Sequence, residues 1–280
     1  MAEMKKSKRV KGSGLVYVIL TLVAIVCFFP FVWTIIASSH TNTQIFQSSK
    51  SFVIGTNSIK NYINLMAFSN IWRNLFNSIF IATVYTILVC IIDSMAAFAF
   101  SKYKFKGRDV LFFICVCSMF IPQQVTLVPL FMQLSAMNLI SSPSAVILPA
   151  LASIFGVFLM RQNLMAFPDE LMESARIDGA NDFRMFFQIV VPTMKPAFTS
   201  LAILSFVQQW GNYLWPLIVL NTKDSFTIPL VLALMRAGGN IVDYGAIMVG
   251  AVMALVPVLV LFLFFQKNFI QGMLSGSLKG

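Results

Sequence analysis

Long apolar runs separated by short polar segments dominate the chain, and six of these runs are long enough to form membrane spans. A helix needs about 20 residues to cross a bilayer. Hydrocarbon offers no partner to backbone N–H and C=O groups, and the runs lack the alternation of a membrane barrel, so each run predicts a helix. The predicted spans are Leu15–Ala37, Leu75–Phe100, Val110–Leu134, Ser144–Met160, Phe198–Leu220 and Gly245–Gln266. The pattern therefore predicts an all-α integral membrane protein with six transmembrane helices.

The composition also favours membrane insertion. Hydrophobic residues make up 58% of the 280 residues and charged residues only 11%, whereas soluble domains carry about 25% charged residues. The first apolar run follows a basic head, which is also typical of a cleaved signal peptide. Because the run is longer than the roughly 7–15 apolar residues of such a signal, a retained signal-anchor helix is the favoured interpretation.

The distribution of Lys and Arg orients the spans, since cytoplasmic loops carry an excess of these residues. With the N-terminus inside, fifteen of the 20 basic residues lie in inside segments and five lie outside. The inside groups are five bases in residues 1–13, four in residues 102–108, four in residues 161–195 and two in residues 267–279. We therefore predict a basic cytoplasmic N-terminus at residues 1–13, a single transmembrane domain at residues 14–280, and both termini in the cytoplasm.

The remaining chemistry points to no other class of site. The net charge of +10 is concentrated in the inside segments, so it does not indicate nucleic-acid binding. The four cysteines lie within apolar runs, so we expect them to be packing residues and not parts of a disulfide framework or a metal site. Asp93 is the one acid deep in a span, and a charge there is costly, so we expect a structural partner in the bundle in preference to a proton-coupled role. No pair of catalytic groups is present, and we predict no catalytic residue and no metal site.

The charged segment between the fourth and fifth spans, about residues 161–197, predicts two short helices around a turn. Pro168 suits the start of the first helix, which extends to Asp178. Gly179 supplies the left-handed residue that commonly ends a helix.

The second helix of this segment is predicted to be capped by Asn181 or Asp182 and to end at Pro192. Its apolar face is predicted to hold Phe183, Phe186, Phe187 and Val190. The polar face carries acids as well as bases, which opposes binding to anionic lipid. A protein partner is therefore favoured over the membrane surface.

The stretch from Glu173 to Pro192 resembles the cytoplasmic signature of ABC importer permeases. That signature is Glu-Ala-Ala, three residues, Gly, nine residues, Ile, one residue, Leu-Pro. The chain keeps this spacing as Glu173-Ser174-Ala175, Gly179, Ile189 and Val191-Pro192, with Ser174 and Val191 as conservative departures. The segments FGVFLMRQN, IPQQVTLVPLF, WGNYLWPLI and QGMLSGSLKG are similar to the carbohydrate branch of the family, and to the second permease subunit of maltose and multiple-sugar systems.

In that family the loop docks in a cleft of a cytoplasmic ATPase subunit. The resemblance implies that Glu173 reaches basic groups of the ATPase, that Gly179 lets the loop turn tightly, and that Ala175 and Ala180 permit close approach. The residues it assigns to ATPase coupling are Glu173, Ala175, Asp178, Gly179, Ala180 and Pro192. The chain has no Gly-Lys dipeptide and so no Walker phosphate loop. We therefore expect no cofactor in this chain and no enzymatic activity, with ATP-Mg bound by the partner ATPase.

The resemblance also implies the partners and the cellular place. It implies a multi-pass subunit of a prokaryotic inner or plasma membrane that pairs with a second permease as a heterodimer. Two cytoplasmic ATPase subunits and an extracellular or periplasmic sugar-binding protein complete the system, the latter facing the outer loops Ser38–Asn74 and Asn221–Tyr244. The expected function is ATP-driven import of a sugar, an oligosaccharide or disaccharide. The alternatives are a permease for a phosphate ester or another polar solute, and a secondary transporter outside the ABC class.

Span five offers a candidate substrate path. Polar groups inside a membrane are costly and tend to mark transport paths, while amides bond sugar hydroxyls and aromatic rings pack on sugar C–H surfaces. Gln208, Asn212 and Trp215 share one face of an ideal helix, and with Trp210 they form the candidate path. The alternative is that the amides stabilise helix packing and the aromatic residues line the membrane interface. Pro216 predicts a kink in this span.

Overall fold

The computed structural model describes residues 13–47, 52–238 and 242–275, and every regular element in these ranges is helical. The all-α class predicted from the apolar runs is therefore confirmed for this part of the chain. The predicted basic N-terminus up to residue 12 and the tail after Ser275 lie outside the described residues.

The helices follow one another along the chain with short connections. The first half contains α1 (Ser13–Ala37), α2 (Asn42–Phe46), α3 (Ser58–Phe68), α4 (Ile71–Lys102), α5 (Arg108–Ser118), α6 (Gln123–Ala136) and α7 (Pro143–Ile147), which continues as a 3₁₀ turn over Leu148–Ala150. The second half contains α8 (Ile154–Leu164), α9 (Asp169–Ile177), α10 (Asp182–Met185), a π-helical turn (Phe186–Val190), α11 (Val191–Thr193), α12 (Lys195–Trp210), α13 (Leu214–Val219), α14 (Ile228–Ala237) and α15 (Tyr244–Ser275).

Three helices are long and apolar enough to cross a membrane by themselves: α1, α4 and α15. Three further pairs pass the same test together but are bent. The bend is 96° between α5 and α6, 47° between α7 with its 3₁₀ turn and α8, and 86° between the α10–α11 stretch and α12. Within the described ranges, up to six spans result if each bent pair counts as one, although the third pair covers Asp182–Trp210 and not the predicted fifth span.

The predicted fifth span, Phe198–Leu220, is broken, in line with the kink predicted from Pro216. Helix α12 ends at Trp210, and α13 begins only at Leu214. The reason is Pro216, which has no N–H and interrupts the ladder of an unbroken helix. In α13 it lies in the first turn, where a missing N–H leaves no bond unmade.

Helix α4 lies at the centre of the bundle. It packs against α8 and α12, and α12 packs in turn against α15. Along α1, by contrast, apolar side chains are exposed over most of its length. An apolar helix that is exposed in this way suits contact with lipid.

Side-chain amides join the predicted outer loop Ser38–Asn74 to the predicted outer loop Asn221–Tyr244. Asn42 donates to the carbonyl oxygen of Val242 at 2.6 Å and accepts from the backbone N–H of Tyr244 at 2.8 Å. Asn64 donates to the carboxylate of Asp243 at 2.7 Å. The apolar stretch predicted in the last outer loop forms α14, and part of the Gly-Gly turn after it lies outside the described residues.

Candidate functional site

The predicted coupling segment begins with α9, which ends in a left-handed glycine turn. Helix α9 follows Pro168, as predicted. Gly179 has a φ of +78°, and its N–H donates to the carbonyl oxygen of Arg176 at 3.0 Å. The N–H of Ala180 donates to the carbonyl oxygen of Ala175 at 2.9 Å. These two bonds form a Schellman motif, so the helix stop predicted at Gly179 is confirmed.

The second helix of the segment does not end at Pro192, and that prediction is wrong. Asn181 caps α10 by accepting from the N–H of Arg184 at 2.8 Å, as predicted. The helical backbone then passes through Pro192 to Thr193, and the chain bends only at Met194. Because Pro192 has no N–H to donate, the helix widens into the π-helical turn directly before it.

The second helix also buries a different face from the one predicted. Phe186 and Val190 are buried as expected, but Phe183 and Phe187 are 65% and 47% exposed. Met185 is buried in their place. The π-helical turn lengthens the repeat, so a spacing of 3.6 residues no longer identifies the buried side.

The exposed side of the predicted coupling segment carries both acidic and apolar side chains. Glu173 and Asp178 are exposed, and Ile177 between them is 87% exposed. We refer to Glu173, Ile177, Asp178 and Phe183 as the coupling surface. Among the described residues Glu173 has no ion-pair partner. Large apolar side chains beside an unpaired acid at the protein surface favour a protein partner.

The other residues assigned to coupling differ in exposure. Gly179 and Pro192 are exposed, while Ala180 is half-buried against the core. Ala175 is 6% exposed and packs inside the chain's own core beside Met172. The small side chain of Ala175 allows α9 to pack on the core, and its expected role in close approach of the ATPase stays a prediction.

The predicted coupling segment is attached to the C-terminal end of α4, at Lys102. Lys102 Nζ donates to the carbonyl oxygen of Phe167 and to Asp169 Oδ1, each at 2.6 Å. The Lys102 side chain is 5% exposed, whereas that of Asp169 is 75% exposed. The hydrogen bond and the charge of Lys102 lower the pKa of Asp169 below its ordinary value. Arg176 of α9 also lies over the ring of Tyr103, 5.7 Å from its centroid.

A cavity of about 360 Å³ lies among α4, α6, α12 and α13, with the 3₁₀ turn after α7 at its edge. Its lining has no charged residue. The lining residues are Tyr85, Gln123, Gln124, Thr126, Leu127, Leu130, Pro149, Ala150, Gln208, Gln209, Asn212, Leu214 and Trp215. A volume of this size is typical of small-molecule pockets, which take up roughly 300–1,000 Å³.

The structure brings three of the four candidate path residues together and leaves one out. Gln208, Asn212 and Trp215 line the cavity although the helix between them is broken. Trp215 also donates through Nε1 to the carbonyl oxygen of Ala145 at 2.8 Å. Trp210 does not line the cavity. It is stacked on Phe206, with 5.6 Å between ring centroids.

Asp93 is fully buried in α4 against the first turn of α8. A Cβ atom added at Gly156 would lie 3.0 Å from Asp93 Cγ, so only a glycine admits the carboxyl group here. Neither carboxyl oxygen has a hydrogen-bond partner among the residues that the structure describes. The group meets the positive end of α8, which favours an acid. The proton-coupled role and the structural role of Asp93 stay predictions.

Comparison with known proteins decides the family. Residues 94–275 match the family described as "Binding-protein-dependent transport system inner membrane component". The chain belongs to this family. The resemblance to ABC importer permeases seen in the cytoplasmic signature is thereby confirmed, and the chain is a membrane component of a transport system. The membrane location predicted from the apolar runs is confirmed as well.

Relatives of this permease match it over almost its full length. It is 34% identical over 281 residues to the arabinooligosaccharides transport system permease protein AraQ of Halalkalibacterium halodurans, covering 99% of this chain and 100% of the relative. It is 35% identical over 263 residues to the lactose transport system permease protein LacG of Rhizobium radiobacter, covering 94% and 95%. It is 28% identical over 266 residues to the sn-glycerol-3-phosphate transport system permease protein UgpE of Escherichia coli K12, covering 92% and 95%.

A solved structure supports the fold. The permease matches a chain in the crystal structure of a bacterial ABC transporter involved in the import of the acidic polysaccharide alginate, with a TM-score of 0.76 and 22% identity. The match covers 95% of this chain and 100% of the other. The helical arrangement described above is therefore that of an ABC transporter chain.

Two groups of cavity residues lie outside the candidate path drawn from the sequence. Tyr85 comes from α4, and Gln123 and Gln124 come from the start of α6. The two glutamines follow Pro122 inside an apolar run, and polar side chains beside a helix break are a usable signal. Tyr85 has no such signal, since a single tyrosine in a span is as often a packing residue.

Proposed function

We propose that this permease is the membrane subunit of an ATP-driven importer that moves a neutral oligosaccharide or disaccharide into a prokaryotic cell. The family membership and the sugar transport named for the AraQ and LacG relatives support the proposal. In this proposal the six spans are α1, α4, α5 with α6, α7 with α8, α12 with α13, and α15, with both termini in the cytoplasm. The excess of Lys and Arg in the predicted inside segments supports that orientation.

The observation that carries the proposal is the coupling surface, held in place by the left-handed turn at Gly179. In this proposal the surface docks on a cytoplasmic ATPase subunit, and Glu173 pairs with basic groups there. ATP-Mg is bound by that subunit, of which the importer has two. A second permease pairs with this one in the membrane, and a sugar-binding protein approaches the outer loops.

The docking role is tested with the permease complex in lipid nanodiscs and its purified ATPase. We expect Glu173→Lys and Gly179→Asp to assemble in the membrane with the second permease but to bind the ATPase weakly and to import no sugar. Asp224→Lys is the matched control, because it reverses an exposed acid in the segment predicted outside. ATPase binding and uptake by Glu173→Lys at the level of the control would contradict the docking role.

The sugar path in this proposal is the amide-lined cavity. Four side-chain amides from α6 and α12, together with that of Asn212, supply donors and acceptors for hydroxyl groups. Trp215 and Tyr85 supply aromatic surface. The assigned path residue Trp210 is not part of this cavity, and its proposed role is to pack, together with Phe206 of the same helix, against α4 and α15.

Substitution of Gln208 and Asn212 by alanine tests the path. We expect each variant to raise the sugar concentration needed for half-maximal uptake while ATPase docking is unchanged. Val207→Ala is the matched control, because this neighbouring residue of α12 is exposed and outside the cavity lining. Unchanged uptake and unchanged sugar preference in both amide variants would remove the path role and leave the docking role standing.

A second candidate cargo is a phosphate ester, favoured by the likeness to UgpE. A path for an anion needs compensating positive charge, and the cavity lining holds none. Uptake assays in proteoliposomes with lactose, an arabinooligosaccharide and sn-glycerol-3-phosphate separate the two candidates. Preferred uptake of the phosphate ester would exclude the sugar assignment without affecting the coupling assignment.

A further inference from the structure

Three helices in the described part of the chain are long enough to span a membrane alone, and α4 differs from the other two in lacking proline. Its 32 residues include no proline, whereas α1 and α15 contain Pro30 and Pro257. The three other candidate spans are bent at a break. At 1.5 Å per residue α4 is about 48 Å long, so it reaches from one side of a bilayer to the other as a single rigid rod.

The inner end of α4 is fastened to the coupling segment at two places. Lys102 Nζ bonds the Phe167 carbonyl and the Asp169 carboxylate at the start of α9, with its side chain withdrawn from solvent. Four residues earlier, Phe98 packs on Phe186 of the π-helical turn, with 5.6 Å between ring centroids. Both halves of the coupling segment therefore contact the same helix end.

The outer end of α4 is fastened to the segment before α14. Asn74 is fully buried and donates to the carbonyl oxygens of Lys223 and Phe226 at 2.8 and 3.1 Å. The hydroxyl of Ser78 accepts from the N–H of Ile228 at 2.8 Å. These bonds join buried side chains of α4 to the backbone of the segment, so a displacement of the helix moves the segment with it.

Between these two ends α4 borders the cavity through Tyr85. One rigid helix thus contacts the coupling segment, the cavity and the outer segment. We propose that α4 transmits the displacement of the coupling segment to the cavity and the outer segment, and that Lys102 is the positioning residue that attaches the coupling segment to it. The inference rests on the proposed docking of the coupling surface on an ATPase.

The test uses the whole importer, with both permeases, the ATPase and the sugar-binding protein, in proteoliposomes. Lys102→Met removes both hydrogen bonds of the ammonium group while keeping a side chain of similar length. We expect the ATPase to stay bound and the uptake of sugar per ATP hydrolysed to fall about tenfold, within the usual range of coupling between distant sites. Stimulation of ATP hydrolysis by the sugar-loaded binding protein is also expected to fall, because in this proposal the same attachment connects the ATPase to the outer segment.

Three variants control for a merely structural effect. Lys102→Arg keeps donors for both oxygens and restores the ratio of uptake to hydrolysis. Lys106→Met removes an exposed lysine of the loop that follows α4, and we expect it to leave the ratio of uptake to hydrolysis unchanged. Asp169→Asn weakens the attachment from its exposed end without leaving a buried group unpaired as the loss of Lys102 does, and it lowers the ratio in the same direction even where Lys102→Met fails to assemble.

An unchanged ratio and unchanged stimulation in assembled Lys102→Met or Asp169→Asn complexes would overturn the role of Lys102. This outcome differs from failure of the proposed function. If the proposed docking on the ATPase is what fails, Glu173→Lys itself leaves ATPase binding intact. Comparison of Glu173→Lys with Lys102→Met therefore separates failure of the docking role from failure of the role of Lys102.

Discussion

Replacing Gly179 by alanine isolates the backbone demand of the coupling turn. Gly179 has a φ of +78°, and a Cβ atom added there would meet nothing within 4 Å. Alanine therefore introduces no clash, and its cost is that of placing a residue with a Cβ in the left-handed region, about 1–2 kcal/mol. Gly107 is the matched control, because it has a φ of +85° and equally open surroundings at the start of α5.

The two variants are expected to lose similar stability but to differ in ATPase binding. A penalty of 1–2 kcal/mol shifts the population of the native turn by a factor of about 5–30. Titration of the ATPase onto the permease complex in nanodiscs is expected to show an affinity weakened by up to this factor for Gly179→Ala. Gly107→Ala is expected to bind the ATPase as the unsubstituted chain does, while thermal unfolding in detergent shifts equally for both variants.

Two results would refute this reasoning. Equal loss of ATPase affinity in the two variants would mean that general destabilisation, and not the shape of the coupling turn, weakens docking. Full affinity in Gly179→Ala, together with the expected loss of stability, would mean that the turn is formed but is not part of the docked surface.

Three further predictions concern packing and charge. Gly156→Ala forces a methyl group against Asp93, so we expect it to destabilise the bundle by about 1–3 kcal/mol. Thermal unfolding in detergent measures this loss, and an unchanged unfolding temperature would refute the tight contact. Trp215→Phe leaves the buried carbonyl oxygen of Ala145 without its donor, which costs about 1–3 kcal/mol in the same assay, and no loss would mean that water replaces the indole. The lowered pKa of Asp169 stabilises the fold above the ordinary carboxyl pKa of about 3.9, and this contribution is lost as the pH falls through the lowered value. Asp169→Asn is expected to flatten that acid dependence, and an unaltered pH profile would contradict it.

The sequence predicts the helices and the coupling turn well because both depend on local rules. Apolar runs must form helices in hydrocarbon whatever they pack against. The turn follows from the conformational freedom of Gly179, and the cap of α10 follows from the side chain of Asn181. None of these features requires knowledge of which helices are neighbours.

The sequence pattern does not predict which individual side chains are buried, because burial depends on the neighbouring helices and on the exact helical repeat. Phe187 is exposed within a π-helical turn, which no local residue other than the following Pro192 indicates, and Phe183 is exposed in α10 before that turn. Ala175 belongs to a signature that the family uses for docking, yet here it packs inward. The attachment of Lys102 to Asp169 joins residues that are far apart in the chain, which a one-dimensional pattern does not contain.

The places where the spans are broken explain why the cavity lies where it does. The break between α5 and α6 leads to Gln123, the turn between α7 and α8 contains Ala150, and the break after α12 contains Asn212; all three residues line the cavity. Irregular backbone at membrane depth is tolerated only where it is buried in protein or lines a cavity. Three separate breaks that meet at one uncharged, amide-rich space are what the proposed path for a hydroxyl-rich solute requires, whereas three unbroken spans would serve helix packing at least as well.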